Sequence, residues 1–350
     1  ALAEALVEGG KVRSLMSVGA ASWERAARAS SHSNLDPCRA RRYIPPVADH
    51  TQPVSASTRL CAVYGFPVRH SASPAMQNAG LAKLGLNWRY TAAEVRPEQL
   101  REAIAGARTM HYVGLNLTVP HKLLALEFVD VLDESARQWG AVNTILFEGL
   151  NEDGEWRALH EFKTAPEIVR SHGYNTDADG LTQSLREDLG MEVRGESILL
   201  LGAGGAGRVA ALKIAATGVK QLHLVNRTAN KAEAIATEIG ELFPAVEVTV
   251  GYPDGEIDLL LNATSLGLAT DDPLPLDTSA FPLCQARAVY DMIYRPAETP
   301  LLAAAAAAGC KTANGLGMLL HQGAKSLEIW TGQAAPIEVM RAALEEAIHE

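Results

Sequence analysis

From residue 59 onward, short apolar runs alternate with longer stretches of helical spacing. The run at 60–64 (Leu-Cys-Ala-Val-Tyr) predicts a strand, and 74–84 predicts a helix. The rhythm continues with a strand over 90–95, a helix over 97–107 and a strand over 112–119, followed by helical stretches at 122–131 and 134–139. Residues 148–172 are polar and irregular, so they predict a loop or an insertion. A second unit is expected to begin near Gly173. Its clearest strand is 196–201 (Glu-Ser-Ile-Leu-Leu-Leu), which runs into glycines and a helix over 208–216, then a strand over 221–225. The alanine-rich run 301–309 and the segment 318–350 read as helical. No internal repeat interrupts the pattern. A βαβα order of this kind implies open, mainly parallel sheets with helices on their faces.

A length of 350 residues suits about two such domains. The net charge of −10 repels nucleic-acid phosphates, so no nucleic-acid partner is expected. No apolar run approaches a membrane span, and no membrane partner is expected. Cys38, Cys61, Cys284 and Cys310 are widely spaced and lack CxxC or Cys/His pairing, which argues against a metal site or disulfide framework and suits a reducing compartment. Cytoplasmic location is the expectation. Residues 1–57 differ from the rest: they are rich in Ala, Arg and Ser and slightly basic. A transit peptide would share those traits but lack acids, and Glu4, Glu8, Glu24, Asp36 and Asp49 oppose it. A poorly ordered N-terminal extension is the reading kept, with an organellar address left open beside it.

The segment Gly202-Ala203-Gly204-Gly205-Ala206-Gly207 matches G-x-G-x-x-G directly after a buried-type strand and at the opening of a helix. In that setting Gly202 permits the tight turn, Gly204 admits a pyrophosphate close to the backbone, and Gly207 lets helix and strand pack. The next strand ends in Asn226-Arg227-Thr228, where an NAD site would place an acid for the ribose 2′-hydroxyl. Arg227, with Lys231 one turn on, fits a 2′-phosphate instead, so NADP(H) is the expected cofactor. The bland alternative is a solvated pair of surface cations.

Other polar segments open or close regular elements. In His70-Ser71-Ala72-Ser73-Pro74, Ser73 reads as an N-cap before a proline at N1, and Ser71 with the helix start also suits a carboxylate. In Asn116-Leu117-Thr118-Val119-Pro120-His121-Lys122, Asn116 and Thr118 share one strand face, with Lys122 just beyond. Gly140-Ala141-Val142-Asn143-Thr144 and Tyr174-Asn175-Thr176-Asp177 complete the set. Taken singly, Asn116 reads as a loop asparagine, Thr118 as a strand threonine and Gln322 as part of a solvated face, while a loop asparagine, a surface lysine and an N-cap are the rival readings of Asn143, Lys122 and Asp177. His121 reads as structural, because neighbouring side chains point in different directions.

Together these segments resemble the shikimate dehydrogenase family, including its quinate/shikimate relatives, from about residue 60 to about 330. Asn262-Ala263-Thr264-Ser265, Tyr290-Asp291-Met292-Ile293-Tyr294 and Gly315-Leu316-Gly317-Met318 extend the likeness. The resemblance implies a two-domain α/β fold. A substrate domain at 58–176, with 316–350, would face a Rossmann-type NADP domain at 177–315 across a cleft. It implies NADPH-dependent, reversible reduction of 3-dehydroshikimate to shikimate on the route to aromatic amino acids, with Lys122 as acid/base and Asp177 as its partner. Ser71 and Ser73 would hold the substrate carboxylate beside Tyr294. Asn116, Thr118, Asn143, Asp177 and Gln322 would bind ring hydroxyls. Cofactor contacts would come from Gly202, Ala203, Gly204, Gly205 and Ala206, from Asn226, Arg227, Thr228 and Lys231, and from Thr264, Met292 and Gly315. The expected partner is a small molecule, the expected assembly a monomer or homodimer.

Two departures stand out: Ala178 and Asp179 precede Gly180 where the family commonly has glycine directly after Asn-Thr-Asp, and 148–172 exceeds the usual short hairpin. The rivals are a catabolic quinate/shikimate dehydrogenase and a non-catalytic sensor on the same fold, the second opposed by retention of Lys122 and Asp177. A reductase of the glutamyl-tRNA type is disfavoured by the acidic charge and the lack of a catalytic cysteine context.

Overall fold

Leu199 and Leu201 bury on one face of their strand and Ile198 and Leu200 on the other, each within a separate apolar cluster. A strand buried on both faces needs an unbroken apolar run, and that run is what 198–201 supplies. The same division holds at the other end of the chain, where Cys61 and Val63 join one cluster and Ala62 and Tyr64 another. These two strands are central to two separate sheets. The computed structural model describes residues 53–269 and 271–349. The expected extension lies outside the described residues as far as residue 52, as does Cys38.

The first sheet takes β1 (Arg59–Gly65), β2 (Trp88–Glu94), β3 (Gly114–Leu117), β4 (Val131–Leu132), β5 (Thr144–Leu150), β6 (Trp156–Ala158) and β7 (Val169–Tyr174). Between them run α1 (Ser73–Lys83), α2 (Leu100–Thr109), α3 (His121–Leu124) and α4 (Glu134–Trp139). Strand order is β2-β1-β3-β5-β7-β4, with β6 also on β5. The sheet is mixed: β5 runs antiparallel to β3, β6 and β7. The mainly parallel expectation therefore fails here. β5 already enters reversed against β3 through residues 144–146, and residues 148–172 extend it and return as β6 and β7 rather than forming only a loop. Their polarity reflects a sheet margin, where Glu148 pairs with Arg170 and Arg170 lies over the Trp156 ring.

The chain then passes through α5 (Asp177–Leu189) into the second sheet: β8 (Ser197–Leu201), α6 (Gly205–Ala216), β9 (Gln221–Val225), α7 (Ala229–Leu242), β10 (Glu247–Val250), β11 (Ile257–Asn262), β12 (Ala286–Asp291), α8 (Pro300–Ala307) and β13 (Lys311–Asn314). Its order, β10-β9-β8-β11-β12-β13, is wholly parallel. This is the doubly wound nucleotide-binding order, reversing between β8 and β11, and such folds bind ligands at the carboxyl ends of the strands beside that reversal. The second sheet begins at Ser197, not near Gly173, which belongs to β7 of the first. The chain closes with α9 (Leu316–Thr331) and α10 (Ile337–His349), where one helical segment had been expected; Gly332, in the left-handed region, ends α9.

Helices α5 and α9 cross in close contact beneath both sheets. Small residues make the crossing possible. A Cβ on Gly180 would come within 3.0 Å of the Gln322 amide and the Met318 carbonyl, and one on Gly317 within 2.2 Å of the Asp188 carboxylate. The start of α5 and the middle of α9 therefore form one floor, and Asp177 and Gln322 stand on it.

Candidate active site

A cavity of about 750 Å³ opens over this floor, walled by the carboxyl ends of both sheets. At its base the Lys122 Nζ donates to Asp177 Oδ2 at 2.8 Å. Lys122 is a quarter exposed and Asp177 nearly buried. Each arrives by a local constraint. Lys122 is in the short α3 directly after β3, and its carbonyl accepts from the Val142 amide at 2.8 Å, which ties it to the turn before β5. Asp177 is the first residue of α5, where the helix dipole favours a carboxylate.

Behind the pair lies a buried polar network. Asn143 Nδ2 donates to the other Asp177 oxygen at 2.9 Å, and Asn143 Oδ1 accepts from the Thr176 amide at 2.8 Å. The Lys122–Asp177–Asn143 chain thus holds the carboxylate from two sides. Asn116 is fixed as firmly: Tyr90 Oη donates to its Oδ1 at 2.7 Å, and its Nδ2 donates to Ser326 Oγ at 2.9 Å and Thr144 Oγ1 at 3.1 Å. With its amide hydrogens spent inside the protein, Asn116 faces the cavity as an acceptor through its remaining Oδ1 lone pair. Thr118 and Ser71 line the same wall. The Ser73 amide donates to Ser71 Oγ at 3.3 Å at the start of α1. Ser73 is the first helical residue and Ala72 the cap, so the expected side-chain cap is absent, and Pro74 stands at the second helical position rather than the first. Burial pushes the Tyr294 hydroxyl up in pKa, while a hydrogen bond donated to its oxygen by the Ala72 backbone opposes that, so Tyr294 reaches the α1 start from the opposite wall.

The second wall is made of backbone. Gly202 holds φ +105°, and a Cβ on Gly207 would fall 2.1 Å from the Gly202 carbonyl oxygen, so the turn admits only glycine at both places. A Cβ on Gly204 would meet nothing within 4 Å, which leaves room for a ligand against the chain. No side chain caps α6, so its first amides are free for an anion. Asn226 Oδ1 accepts from the Ala203 amide at 3.0 Å and braces the turn from the end of β9. Arg227 and Lys231 are exposed there, and neither side chain has a hydrogen-bond or ion-pair partner among the described residues. The free amides, open Gly204 and unpaired cations together fit a phosphorylated dinucleotide.

The structure brings Ser71, Ser73, Asn116, Thr118, Lys122 and Asp177 to the cavity. Tyr294, Gln322, Gly205, Ala206, Thr264, Met292 and Gly315 join them from the other side. Gly202, Ala203, Gly204, Asn226, Arg227, Thr228 and Lys231 form the adjoining turn outside it. Asn143 stands apart: it is 1% exposed and lies one layer behind Asp177 rather than on the wall. Tyr90, Thr144, Thr176 and Ser326 were missed as parts of the site. Thr144 and Thr176 lie within the singled-out segments 140–144 and 174–177 without a role of their own, whereas nothing local marks Tyr90, two strands from Asn116, or Ser326 on α9. Asp179 pairs with Lys213 of α6 at 2.6 Å and has no bond to Lys122. His121 is fully buried with Nε2 against the Val95 carbonyl, and burial lowers its pKa.

A doubly wound sheet with a glycine turn, set against a polar wall carrying a lysine–carboxylate pair, defines a dinucleotide-dependent enzyme of small hydroxylated molecules. Family models agree: the shikimate dehydrogenase substrate binding domain matches residues 63–145, the shikimate / quinate 5-dehydrogenase model 184–252, and the shikimate 5'-dehydrogenase C-terminal domain 315–345. The shikimate dehydrogenase (NADP(+)) of Desulforamulus reducens is 38% identical over 306 residues, which span 84% of this chain and 97% of that one. A shikimate dehydrogenase crystallised with NADP+ superposes with a TM-score of 0.73 at 35% identity, covering 86% of this chain and 99% of that one. The Thermus thermophilus shikimate 5-dehydrogenase, solved with NADP(H) and shikimate, gives 0.68 at 35% identity, covering 83% and 99%. The chain belongs to the shikimate dehydrogenase family.

Proposed function

We propose that the protein catalyses the reversible NADPH-dependent reduction of 3-dehydroshikimate to shikimate. The observation that carries this reading is the Lys122–Asp177 pair at 2.8 Å, held between a hydroxyl-binding wall and a glycine-turn wall. When bound, NADPH supplies the hydride that reduces the ring ketone. Lys122 faces the oxygen on which charge develops, stabilises it as an ammonium and gives it a proton to complete the alcohol. In the reverse direction the neutral amine takes the hydroxyl proton. Asp177 holds the lysine in place, and Asn143 holds Asp177, so Asn143 acts on ring hydroxyls through that carboxylate.

Ser71 and Ser73 bind the substrate carboxylate with Tyr294 beside them, and Asn116, Thr118 and Gln322 take the ring hydroxyls. The glycine turn takes the pyrophosphate, with Arg227 and Lys231 on the 2′-phosphate. Thr264, Met292 and Gly315 border the nicotinamide. In this reading 58–176 with 316–350 form the substrate domain and 177–315 the NADP domain. The free thiols of Cys61, Cys284 and Cys310 suit a cytoplasmic setting.

Initial rates with shikimate or quinate, each paired with NADP+ or NAD+, test the reading through absorbance of the reduced nicotinamide. Shikimate with NADP+ is expected to be the fastest pair. Quinate with NAD+ as the better pair overturns the substrate and Arg227 arguments. Binding without turnover in every pair favours the sensor.

A further inference from the structure

Asp291 ends β12, and its carboxylate is fully buried with no basic side chain paired to it among the described residues. Three donors hold it instead. Oδ1 accepts from Asn262 Nδ2 at 2.9 Å and from the Ile293 amide at 3.1 Å, and Oδ2 accepts from Thr299 Oγ1 at 2.7 Å. Asn262 and Thr299 are themselves fully buried. Burying a carboxylate without a counter-charge is costly, and the pKa of Asp291 is accordingly raised by burial against the pull of these bonds. A group so placed, where an apolar side chain would serve packing alone, calls for a reason.

The bonds lead to the cavity along three routes. Asn262 ends β11, and its Oδ1 accepts from the amide and hydroxyl of Thr264, at 3.0 and 2.8 Å. The Met292 amide donates to the Asn262 carbonyl at 3.0 Å, next to the carboxylate itself. The Ile293 carbonyl accepts from the Gly315 amide at 3.1 Å, beyond the end of β13. Gly315 packs so closely that a Cβ would stand 2.1 Å from the Met292 carbonyl oxygen. Thr264, Met292 and Gly315 all line the cavity. One buried carboxylate therefore braces the loops that follow three adjacent strands.

We propose that Asp291 is a positioning residue for the nicotinamide half of the cofactor, fixing these three loops in one arrangement. The proposal rests on the cofactor reading above and adds a residue to it. It implies a split effect along the dinucleotide, because the adenosine 2′-phosphate end binds at Arg227 and Lys231 beyond β9, and β8 stands between β9 and the nearest strand of this network, β11.

The test is a pair of titrations on folded protein, with NADPH and with adenosine 2′,5′-bisphosphate, which carries only the adenosine half. Asp291→Asn and Thr299→Val are each expected to weaken NADPH roughly three- to tenfold, the scale of one buried hydrogen bond, and to move the bisphosphate by less than about twofold. Thr299→Ser keeps the hydroxyl and is expected to bind both as the wild type does. Equal weakening of the two ligands overturns the proposal, since a general brace would do that. Unchanged NADPH affinity in either folded variant also overturns it. Thr299→Val removes a single hydroxyl, so it decides the matter where Asp291→Asn does not fold. A wild type that binds the bisphosphate and not NADPH overturns the cofactor reading itself, and this proposal with it.

Discussion

Across the cavity, the wall assigned to substrate is made of side chains gathered from far apart, whereas the wall assigned to cofactor is made mostly of one short run of backbone. Asn116 meets Ser326 across 210 positions, and Asn143 meets Asp177 across 34. Opposite them, the single run Gly202 to Gly207 presents the uncapped first amides of α6, with the Gly202 and Ala203 amides already bonded inside the protein. The difference follows from what each wall must bind. A ring with several hydroxyls requires donors and acceptors aimed at separate points, and an unpaired buried group costs about 1–3 kcal/mol. A pyrophosphate is satisfied by a cluster of parallel N–H groups at a helix start, which a single glycine turn provides. One wall is therefore fragile to side-chain deletion and the other to added bulk.

The largest effect is expected where the walls meet. Lys122→Met should lower kcat by about 10²–10⁴, the usual contribution of a general acid, with NADPH affinity unchanged by titration. Substantial turnover in that variant would remove the proton-transfer assignment. Next comes bulk on the backbone wall. Gly207→Ala places a Cβ 2.1 Å from a carbonyl oxygen that cannot move aside. It should cost about 1–3 kcal/mol in stability and weaken NADPH about tenfold or more, measured by thermal unfolding and fluorescence titration. A variant with wild-type affinity would show that the turn does not carry the phosphates.

Smaller losses probe the side-chain wall from behind. Ser326→Ala removes a hydroxyl shared by Asn116 and Thr144 without touching the cavity. It should raise the KM for shikimate about three- to tenfold and leave that for NADPH alone. The smallest effect belongs to the margin of the first sheet. Burial pushes the Glu148 carboxyl up, but the hydrogen bonds and charges of His172 and Arg170 outweigh this and hold it below the usual carboxylate range. Its stabilisation is therefore complete above the unfolded value and is lost as pH falls through the folded one. Glu148→Gln should lower Tm at neutral pH by about 1–2 °C, the shift for about 1 kcal/mol in a chain this long. It should also flatten the acid-side decline, leaving the part due to Asp130 and Asp133, which are depressed in the same direction. An unchanged acid limb would contradict the Glu148 account.

The same contrast explains what the sequence discloses. Gly202 to Gly207 and Arg227 are legible because the pattern that marks them is local: strand, turn and helix start lie within one short stretch. The apolar run 198–201 is legible for the same reason, since burial on both faces leaves a continuous imprint. The side-chain wall is legible only where residues touch the cavity within recognisable segments, as with Lys122 and Asp177. Tyr90 and Ser326 carry no such mark, because their partners come from distant strands and helices, and only the folded topology joins them. Asn143 lies one layer behind Asp177, a placement that spacing does not reveal. The 148–172 segment misled because a strand at a sheet margin is as polar as a loop, and Ser73 because a helix that begins with proline can start one residue sooner.

The central claim is that the two walls bind separate ligands, and calorimetric titration of shikimate and NADPH into Ser71→Ala and Arg227→Ala tests it most directly. The account predicts a crossed result. Ser71→Ala should weaken shikimate about tenfold and spare NADPH, and Arg227→Ala should weaken NADPH about tenfold or more and spare shikimate, as expected for charge-assisted bonds lost on one wall only. Loss of shikimate affinity in Arg227→Ala equal to that in Ser71→Ala would contradict it.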